Sequence, residues 1–178
     1  MPIFEQVFTI VLGHEGGLDT TPADPGNWTG GAVGHGVLKG TAWGISAASY
    51  PDRDIASLTQ ADAASIYRLD YWNRVEGEAL PPPLALLVFD AAVNNGVGHA
   101  IRWLQSAVCV NPDGQIGPAT RAAIVSASSR SGGAAICAEF QAQRLAFMAS
   151  LPTWRIFGLG WARRLCQLPY QSMNMKVD

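Results

Sequence analysis

The chain has 178 residues, of which 48% are hydrophobic and 15% are charged, and its formal net charge at pH 7 is −2. This composition supports a buried core in one domain or in two small lobes, and it excludes disorder as the default. The 12 basic residues form no dense run, so nucleic acid is not an expected partner. The three cysteines, Cys109, Cys137 and Cys166, are far apart and are predicted to be buried free thiols.

The N-terminal residues do not resemble a signal peptide, because they lack a basic region and carry Glu5 before a short apolar stretch. No stretch approaches the roughly 20 apolar residues that a membrane helix requires. We therefore expect a protein made in the cytosol without stable membrane insertion. Any target beyond the membrane would be reached by a route that the chain does not encode.

The first predicted helix, residues 3–14, ends beside a candidate catalytic acid. Its apolar residues recur at helical spacing, namely Phe4, Val7, Phe8 and Val11. Gly16 or Gly17 can adopt the left-handed conformation that ends a helix. Glu15 would then lie at the negative end of the helix dipole, where ionisation is opposed, as a general acid requires. The simpler alternative is a solvated glutamate in the last turn.

A glycine-rich loop is predicted from Gly16 to about Gly44. Long loops inside compact domains are usually functional or disordered. Trp28 and Trp43 argue against a plain linker, which has no use for large aromatic side chains. Thr29-Gly30-Gly31-Ala32 is a weak turn signal for a short hairpin within this loop.

Helix signals dominate the rest of the chain. The predicted helices run from a capping box at Thr59–Asp62 to about Asn73, over 84–95, 98–109 and 133–150, from Pro118 onward, and from near Gly160 to Leu168. Residues after Leu168 are predicted to be a tail. The expected fold is mainly α with a small irregular or hairpin segment in the N-terminal half. It would form a single domain over 1–178, with lobes of about 1–78 and 84–168.

Paired carboxylates are the usual catalytic arrangement of a glycosidase. Asp19, Asp24 and Asp90 are the best placed to approach Glu15. Asp24 lies in a run of turn-forming residues, so its simpler role is to bond its own backbone in an Asx turn.

Metal and nucleotide sites have no supporting motif. The histidines His14, His35 and His99 show no H-E-x-x-H or other short ligand spacing, so zinc is a minor alternative. The turn Asn111-Pro112-Asp113-Gly114 lacks the acidic positions of a calcium loop. No cofactor is expected.

Aromatic and amide side chains near the loop suggest a saccharide groove, because sugar faces pack on rings and hydroxyls need polar partners. The candidates are Trp43, Tyr71, Trp72, Asn94 and Asn95. Their alternative role is to fill the core.

With these residues in place, the chain resembles glycoside hydrolase family 108, N-acetylmuramidases of the phage endolysin type with a C-terminal predicted peptidoglycan domain. The resemblance runs through Glu15-Gly16-Gly17, Asp24-Pro25-Gly26, Thr41-Ala42-Trp43-Gly44-Ile45, Tyr67, Tyr71-Trp72, Phe89 to Gly96, Leu104-Gln105, Asp113 to Thr120, and Gly160 to Arg164. It implies a lysozyme-like helical fold, places the catalytic glutamate on Glu15, and suggests that Asp24 and Thr41 line the cleft.

The resulting hypothesis is a bacteriolytic muramidase that cleaves the β-1,4 bond between N-acetylmuramic acid and N-acetylglucosamine, with Glu15 as general acid. The expected partner is the peptidoglycan glycan strand. The enzyme would act as a monomer on the wall after release, with holin-dependent export as one route. The alternatives are a lytic transglycosylase that uses the same glutamate, a peptidoglycan-binding protein without turnover, and a zinc-dependent wall peptidase.

Overall fold

The computed structural model describes residues 1–13, 17–131 and 133–175. Within them the chain forms seven α-helices and one three-stranded antiparallel sheet, so the prediction of a mainly α fold is confirmed. The helices are α1 (Ile3–Leu12), α2 (Gln60–Tyr67), α3 (Pro82–Asn95), α4 (Val97–Ala107), α5 (Pro118–Ser131), α6 (Ala134–Ser150) and α7 (Trp154–Met173). The strands are β1 (Leu18–Asp19), β2 (Thr41–Ala42) and β3 (Ile45–Ser46).

The chain divides into two compact units. We call Met1–Val11 with Leu69–Asp178 the helical unit, and Leu12–Arg68 the loop unit. None of the helices in the described ranges is long and apolar enough to cross a membrane.

The loop unit is built on the short sheet. β2 pairs with β1, where Asp19 lies opposite Thr41, and with β3, where Ala42 lies opposite Ile45. Between β1 and β2, Trp28 and Leu38 form an antiparallel bridge. The predicted hairpin is therefore present, and its turn lies further along the chain than expected, because the Gly30 amide donates to the His35 carbonyl across residues 31–34.

One position of this hairpin, residue 36, requires glycine because its backbone lies close to the side chain of Thr29. Gly36 has φ +82°, and a Cβ there would lie 2.2 Å from Thr29 Oγ1. That oxygen accepts a hydrogen bond of 2.9 Å from the Val37 amide. A larger residue at position 36 would break this contact, so the hairpin depends on glycine.

The N-terminus of α2 confirms the predicted capping box. Thr59 Oγ1 accepts from the Asp62 amide at 3.2 Å, and Asp62 Oδ2 accepts from the Thr59 amide at 2.9 Å. After Tyr67 the chain continues as a π-helical turn over Arg68–Trp72, where the sequence predicted regular α-helix to Asn73. Over so few residues, a π turn and an α-helical turn show the same spacing of apolar residues. The sequence pattern therefore does not distinguish them.

The core of the helical unit surrounds α3, whose residues from Leu84 to Ala92 are all buried. A helix that is buried all round needs neighbours on every side, and α4, α6 and α7 pack against it. The rings of Phe4, Trp72 and Phe89 contact one another edge to face, with centroids 5.5–6.0 Å apart. These aromatic contacts join α1 and the π turn to α3.

The last helix differs most from the prediction. α7 begins at Trp154 and ends at Met173, so the predicted start near Gly160 and the predicted tail after Leu168 are both wrong. Gly158 is buried, and the indole ring of Trp154 leaves no room for a side chain there. A Cβ at position 158 would lie 2.6 Å from that ring. Glycine at this position therefore helps α7 to pack and does not end it.

Pro169 also lies inside α7, although proline lacks the amide that would donate to the Leu165 carbonyl. Gln141 of α6 replaces that donor, with its Nε2 3.1 Å from Leu165 O. Because the partner comes from another helix, the local sequence around Pro169 predicts a helix end that does not occur.

The predicted burial of the cysteines is also wrong in part. Cys109 and Cys166 are exposed free thiols, and Cys137 is half-buried. Burial raises the pKa of the Cys137 thiol to about 11, so it stays protonated at neutral pH. Cys109 has φ +59° and lies in the turn after α4.

The substitute donor at Leu165 leads to a double-mutant prediction. Gln141→Leu should destabilise the wild-type protein more than it destabilises a Pro169→Ala variant, in which a backbone amide again reaches Leu165 O. We expect a coupling free energy of about 0.5–1.5 kcal/mol, the usual net value of one hydrogen bond. Urea unfolding of the four proteins measures it. Additive effects within error would show that Gln141 does not compensate for Pro169.

Candidate active site

The predicted catalytic acid, Glu15, belongs to residues 14–16, which lie outside the described part of the chain. The structure does describe what precedes it. α1 ends at Leu12, and Gly13 has φ +68°. The prediction that the helix continues to residue 14 and ends at Gly16 or Gly17 is therefore wrong, because Gly13 already supplies the left-handed residue that ends a helix.

The C-terminal end of α1 is held by a cation. Arg164 of α7 donates from Nη2 to the Val11 carbonyl at 3.2 Å. The last carbonyls of a helix have no partner within the helix, and the helix dipole makes a positive charge favourable there. Arg164 therefore fixes the last turn of α1, four residues before Glu15.

Arg164 is itself held by Asp90, a carboxylate on α3 that is completely buried. Asp90 Oδ1 accepts from Nε of Arg164 at 2.8 Å and also from its Nη2. Asp90 Oδ2 accepts from Arg144 Nη1 at 2.7 Å. One buried anion thus joins two guanidinium groups from α6 and α7, and one of them continues to Val11.

Asp90 and Asn94 are four residues apart in α3 and lie on the same side of that helix. Asn94 donates from Nδ2 to the Asp90 carbonyl at 2.8 Å, and Asn95 Oδ1 accepts from Arg144 Nε at 2.8 Å. Both amides, predicted to bind substrate, are thus bonded to this buried charge cluster. Asn94 keeps an exposed surface, whereas Asn95 is half-buried.

Arg144 is the most constrained member of the cluster. Its side chain is fully buried, and desolvation lowers its pKa, which the neighbouring Asp90 raises in part. Its Nη2 has no hydrogen-bond partner among the described residues. A buried guanidinium with an unused donor tolerates no loss of its remaining partners.

In the loop unit, Asp19 is an exposed carboxylate on β1, three residues after the undescribed segment 14–16. Its Oδ1 accepts from the hydroxyl of Thr21 at 2.6 Å and from the Thr21 amide at 2.9 Å. Asn27 Nδ2 donates to its Oδ2 at 3.3 Å. These hydrogen bonds, chiefly the one from the Thr21 hydroxyl, lower the pKa of Asp19, so it is anionic at neutral pH.

Asn27 is the buried centre of this unit, and sequence reasoning did not select it. Its Oδ1 accepts from the Thr41 hydroxyl at 2.7 Å, and its Nδ2 also donates to Thr21 O at 3.1 Å. Its carbonyl accepts from the amides of Lys39 and Gly40, both at 3.0 Å. A buried asparagine with these bonds fixes Thr41 and Asp19 in one frame. In sequence, an asparagine after Asp-Pro-Gly signals a turn, which conceals this role.

Asp24 has the Asx-turn geometry that was the simpler prediction. Its Oδ1 accepts from the Gly26 amide at 2.8 Å and caps a 3-10 turn over Pro25–Asn27. Asp24 is exposed, and its second oxygen makes no hydrogen bond to any residue that the structure describes. Capping therefore leaves one oxygen of Asp24 open to other partners.

The predicted aromatic site residues differ in exposure. Trp43 is half-buried, has φ +53°, and donates from Nε1 to Leu58 O at 3.0 Å. Tyr71 is also half-buried. Trp72 is 1% exposed, and its Nε1 lies 3.3 Å from Glu78 Oε2. Enclosed in the core of the helical unit, the Trp72 ring has no open face for a sugar.

The described histidines are separated from one another. His35 lies in the hairpin of the loop unit. His99 stacks on Trp103 at a centroid distance of 5.4 Å and contacts the tilted ring of Phe147 at 4.6 Å. Across 1–13, 17–131 and 133–175, no three His, Cys, Asp or Glu side chains are grouped as metal ligands would be.

Comparison with known proteins identifies the class, a glycoside hydrolase that acts on peptidoglycan. The model of "Glycosyl hydrolase 108" matches residues 8–96, and that of a "Predicted Peptidoglycan domain" matches residues 99–166. The chain belongs to the glycosyl hydrolase 108 family.

A solved structure, that of Brucella abortus SagA, is 30% identical in sequence and has a TM-score of 0.77. The similarity covers 98% of this chain and 96% of that one, and it supports the predicted lysozyme-like fold. A comparison with curated proteins gives no match.

The buried charge cluster gives a stability prediction. Asp90→Asn should lower the free energy of unfolding by about 3–5 kcal/mol, because it leaves two guanidinium groups without their anion. Glu76→Gln is the control, since Glu76 pairs with Arg121 at 2.6 Å on the surface and such pairs contribute little. Urea unfolding compares the variants. A cost below about 1 kcal/mol for Asp90→Asn, the range of exposed pairs, would contradict this account.

Proposed function

We propose that this protein is a muramidase that hydrolyses the β-1,4 bond between N-acetylmuramic acid and N-acetylglucosamine, with Glu15 as the general acid. The observation that carries the proposal is that both flanks of segment 14–16 are fixed by polar contacts. Arg164 holds Val11 before it, and Thr21 and Asn27 hold Asp19 after it. Catalytic groups need such fixed positions, because small displacements cost large factors in rate.

In this proposal Glu15 donates its proton to the glycosidic oxygen as the bond to the anomeric carbon breaks. In sequence, Glu15 follows the end of α1 by three residues. Arg164 acts as a positioning residue through the Val11 carbonyl. It sets the end of α1 from which the chain continues to Glu15.

We assign the orientation of the attacking water to Thr41. The hydroxyl proton of Thr41 is already donated to Asn27 Oδ1, so its oxygen can only accept from a further partner. A water that donates to Thr41 would direct a lone pair at the anomeric carbon. Its second proton would pass to the open oxygen of Asp24, which then acts as general base. Attack opposite the leaving group inverts the anomeric centre.

Sugar contacts are assigned to side chains that keep open surface. Trp43 and Tyr71 are half-buried, so each can present a ring face to a sugar, and Asn94 offers an exposed amide. Asn95 contributes through Arg144, to which it is bonded. Trp72 is buried in the core of the helical unit and is assigned no sugar contact.

The biological part of the proposal rests on the resemblance to phage endolysins. The enzyme would be made in the host cytoplasm, act as a monomer, and degrade the wall after release through a holin-dependent route. Lysis on expression with and without a holin, with wall digestion by the purified protein as reference, tests this part separately.

Glu15→Gln should abolish wall hydrolysis and leave the fold intact. Loss of a general acid costs roughly 10²- to 10⁴-fold in rate. Glu139→Gln is the matched control, because Glu139 is an exposed carboxylate on α6 that bonds only Gln143 among the described residues. Turbidity loss of purified wall measures activity, and circular dichroism reports folding. Substantial activity in folded Glu15→Gln protein would overturn the assignment, and an inactive wild type that still binds wall would show a binding protein.

The products should carry reducing N-acetylmuramic acid ends. Water attack gives these ends, whereas intramolecular attack by the sugar's 6-hydroxyl gives a 1,6-anhydro ring, which is lighter by one water. Mass spectrometry of digested wall separates the two. Anhydro ends as the main product would identify a lytic transglycosylase, and a covalent sugar adduct on Asp24 would exclude its role as general base.

A further inference from the structure

Helix α7 is apolar on two opposite faces. One face packs into the helical unit through the buried residues Gly158, Leu165, Leu168 and Ser172. The opposite face, which we call the outer stripe, consists of Ile156, Leu159, Arg163, Cys166, Tyr170 and Met173, all exposed. A surface helix normally presents polar residues to water on this side.

The exposure of the outer stripe is extensive. Ile156 is 75% exposed, Leu159 and Tyr170 are both 69% exposed, and Met173 is 80% exposed. Successive members are three or four residues apart, so they lie in one row along the 20-residue helix. A row of large exposed apolar side chains marks an interaction surface.

The charge of this surface is positive, which favours an anionic partner. Arg163 lies within the row, and Arg155 precedes its first member. α7 contains no aspartate or glutamate, and none occurs from residue 140 to residue 177, although the chain as a whole has a net charge of −2. The helix is therefore a basic and apolar region on an acidic protein.

A second copy of the chain fits this surface poorly. A parallel pair of outer stripes would place Arg163 against Arg163, and an antiparallel pair would place the two within about one turn of each other. α7 supplies no carboxylate to offset that repulsion. A glycan is also a poor match, because Ile156, Leu159 and Met173 offer no hydrogen bonds to hydroxyl groups.

We propose that the outer stripe of α7 binds the surface of an anionic lipid bilayer, with the helix lying in the plane of the interface. Ile156, Leu159 and Met173 enter the boundary of the acyl chains, where Tyr170 places its ring and keeps its hydroxyl in water. Arg155 and Arg163 reach the phosphates. None of the outer-stripe residues is among those assigned to catalysis.

The exposed cysteines provide a matched pair of probes. An environment-sensitive fluorophore on Cys166 reports on the outer stripe, and the same fluorophore on Cys109, in the turn after α4, is the control. Each labelled protein carries Ser at the other exposed cysteine. Mixing with phosphatidylglycerol vesicles should shift the emission of the Cys166 label to the blue and leave the Cys109 label unchanged, whereas phosphatidylcholine vesicles should shift neither.

Sedimentation with the same vesicles tests the residues. Arg163→Glu and the double change Ile156→Ser with Leu159→Ser should each weaken binding by about 10-fold or more, since each removes charge or apolar contacts that hold the helix at the interface. The controls are Arg53→Glu and Val125→Ser, which change an exposed arginine and an exposed valine elsewhere. Circular dichroism confirms that every variant is folded.

The proposal fails if the wild type does not bind phosphatidylglycerol vesicles, or if the variants bind as the wild type does. It also fails if sedimentation velocity shows a dimer that the double change disperses, because a second copy would then cover the stripe. Loss of wall binding in the same variants, without loss of vesicle binding, would assign the stripe to peptidoglycan. Hydrolysis of soluble glycan fragments should stay at the wild-type rate in all of them.

Discussion

The helical unit depends on one buried carboxylate. Asp90 has no exposed surface, and its two oxygens are bonded to guanidinium groups of Arg144 and Arg164, which arrive from α6 and α7. A buried charge is tolerated only when it is paired and hydrogen-bonded, so this interaction fixes how the two helices pack against α3. Arg164 extends the constraint to Val11, at the end of α1. The packing of the core and the position of the chain that leads to Glu15 therefore have a common origin.

The loop unit contains a long glycine-rich segment with little regular structure, so other contacts must hold its backbone in place. Asn27, which is fully buried, makes these contacts. Its side-chain amide is hydrogen-bonded to Asp19, Thr21 and Thr41, and its backbone carbonyl accepts from two backbone amides. In the proposed mechanism the same bonds give Thr41 its orientation, since its proton is committed to Asn27. An ordered loop and a directed hydroxyl are thus produced by one side chain.

Local signals in the sequence predict local structure well here. The capping box at Thr59 and the prolines that begin helices both involve residues within a few positions of each other. Interactions between distant residues were not predictable: Arg144 and Arg164 lie 54 and 74 residues from Asp90. The continuation of α7 through Pro169 was not predictable for the same reason. The donor that replaces the missing proline amide, Gln141, lies on another helix. The prediction of Glu15 rests on its motif, whereas the residue that holds the end of α1, Arg164, comes from a distant part of the chain.

The most direct test of this account is kcat for wall hydrolysis by Arg164→Lys. Lysine keeps the positive charge, but its single ammonium group cannot reproduce the planar donors that bind Asp90 and the Val11 carbonyl together. If Arg164 positions the segment that carries Glu15, kcat should fall by roughly 10- to 100-fold while KM and the folded state change little. A folded Arg164→Lys protein with the wild-type kcat would contradict the account.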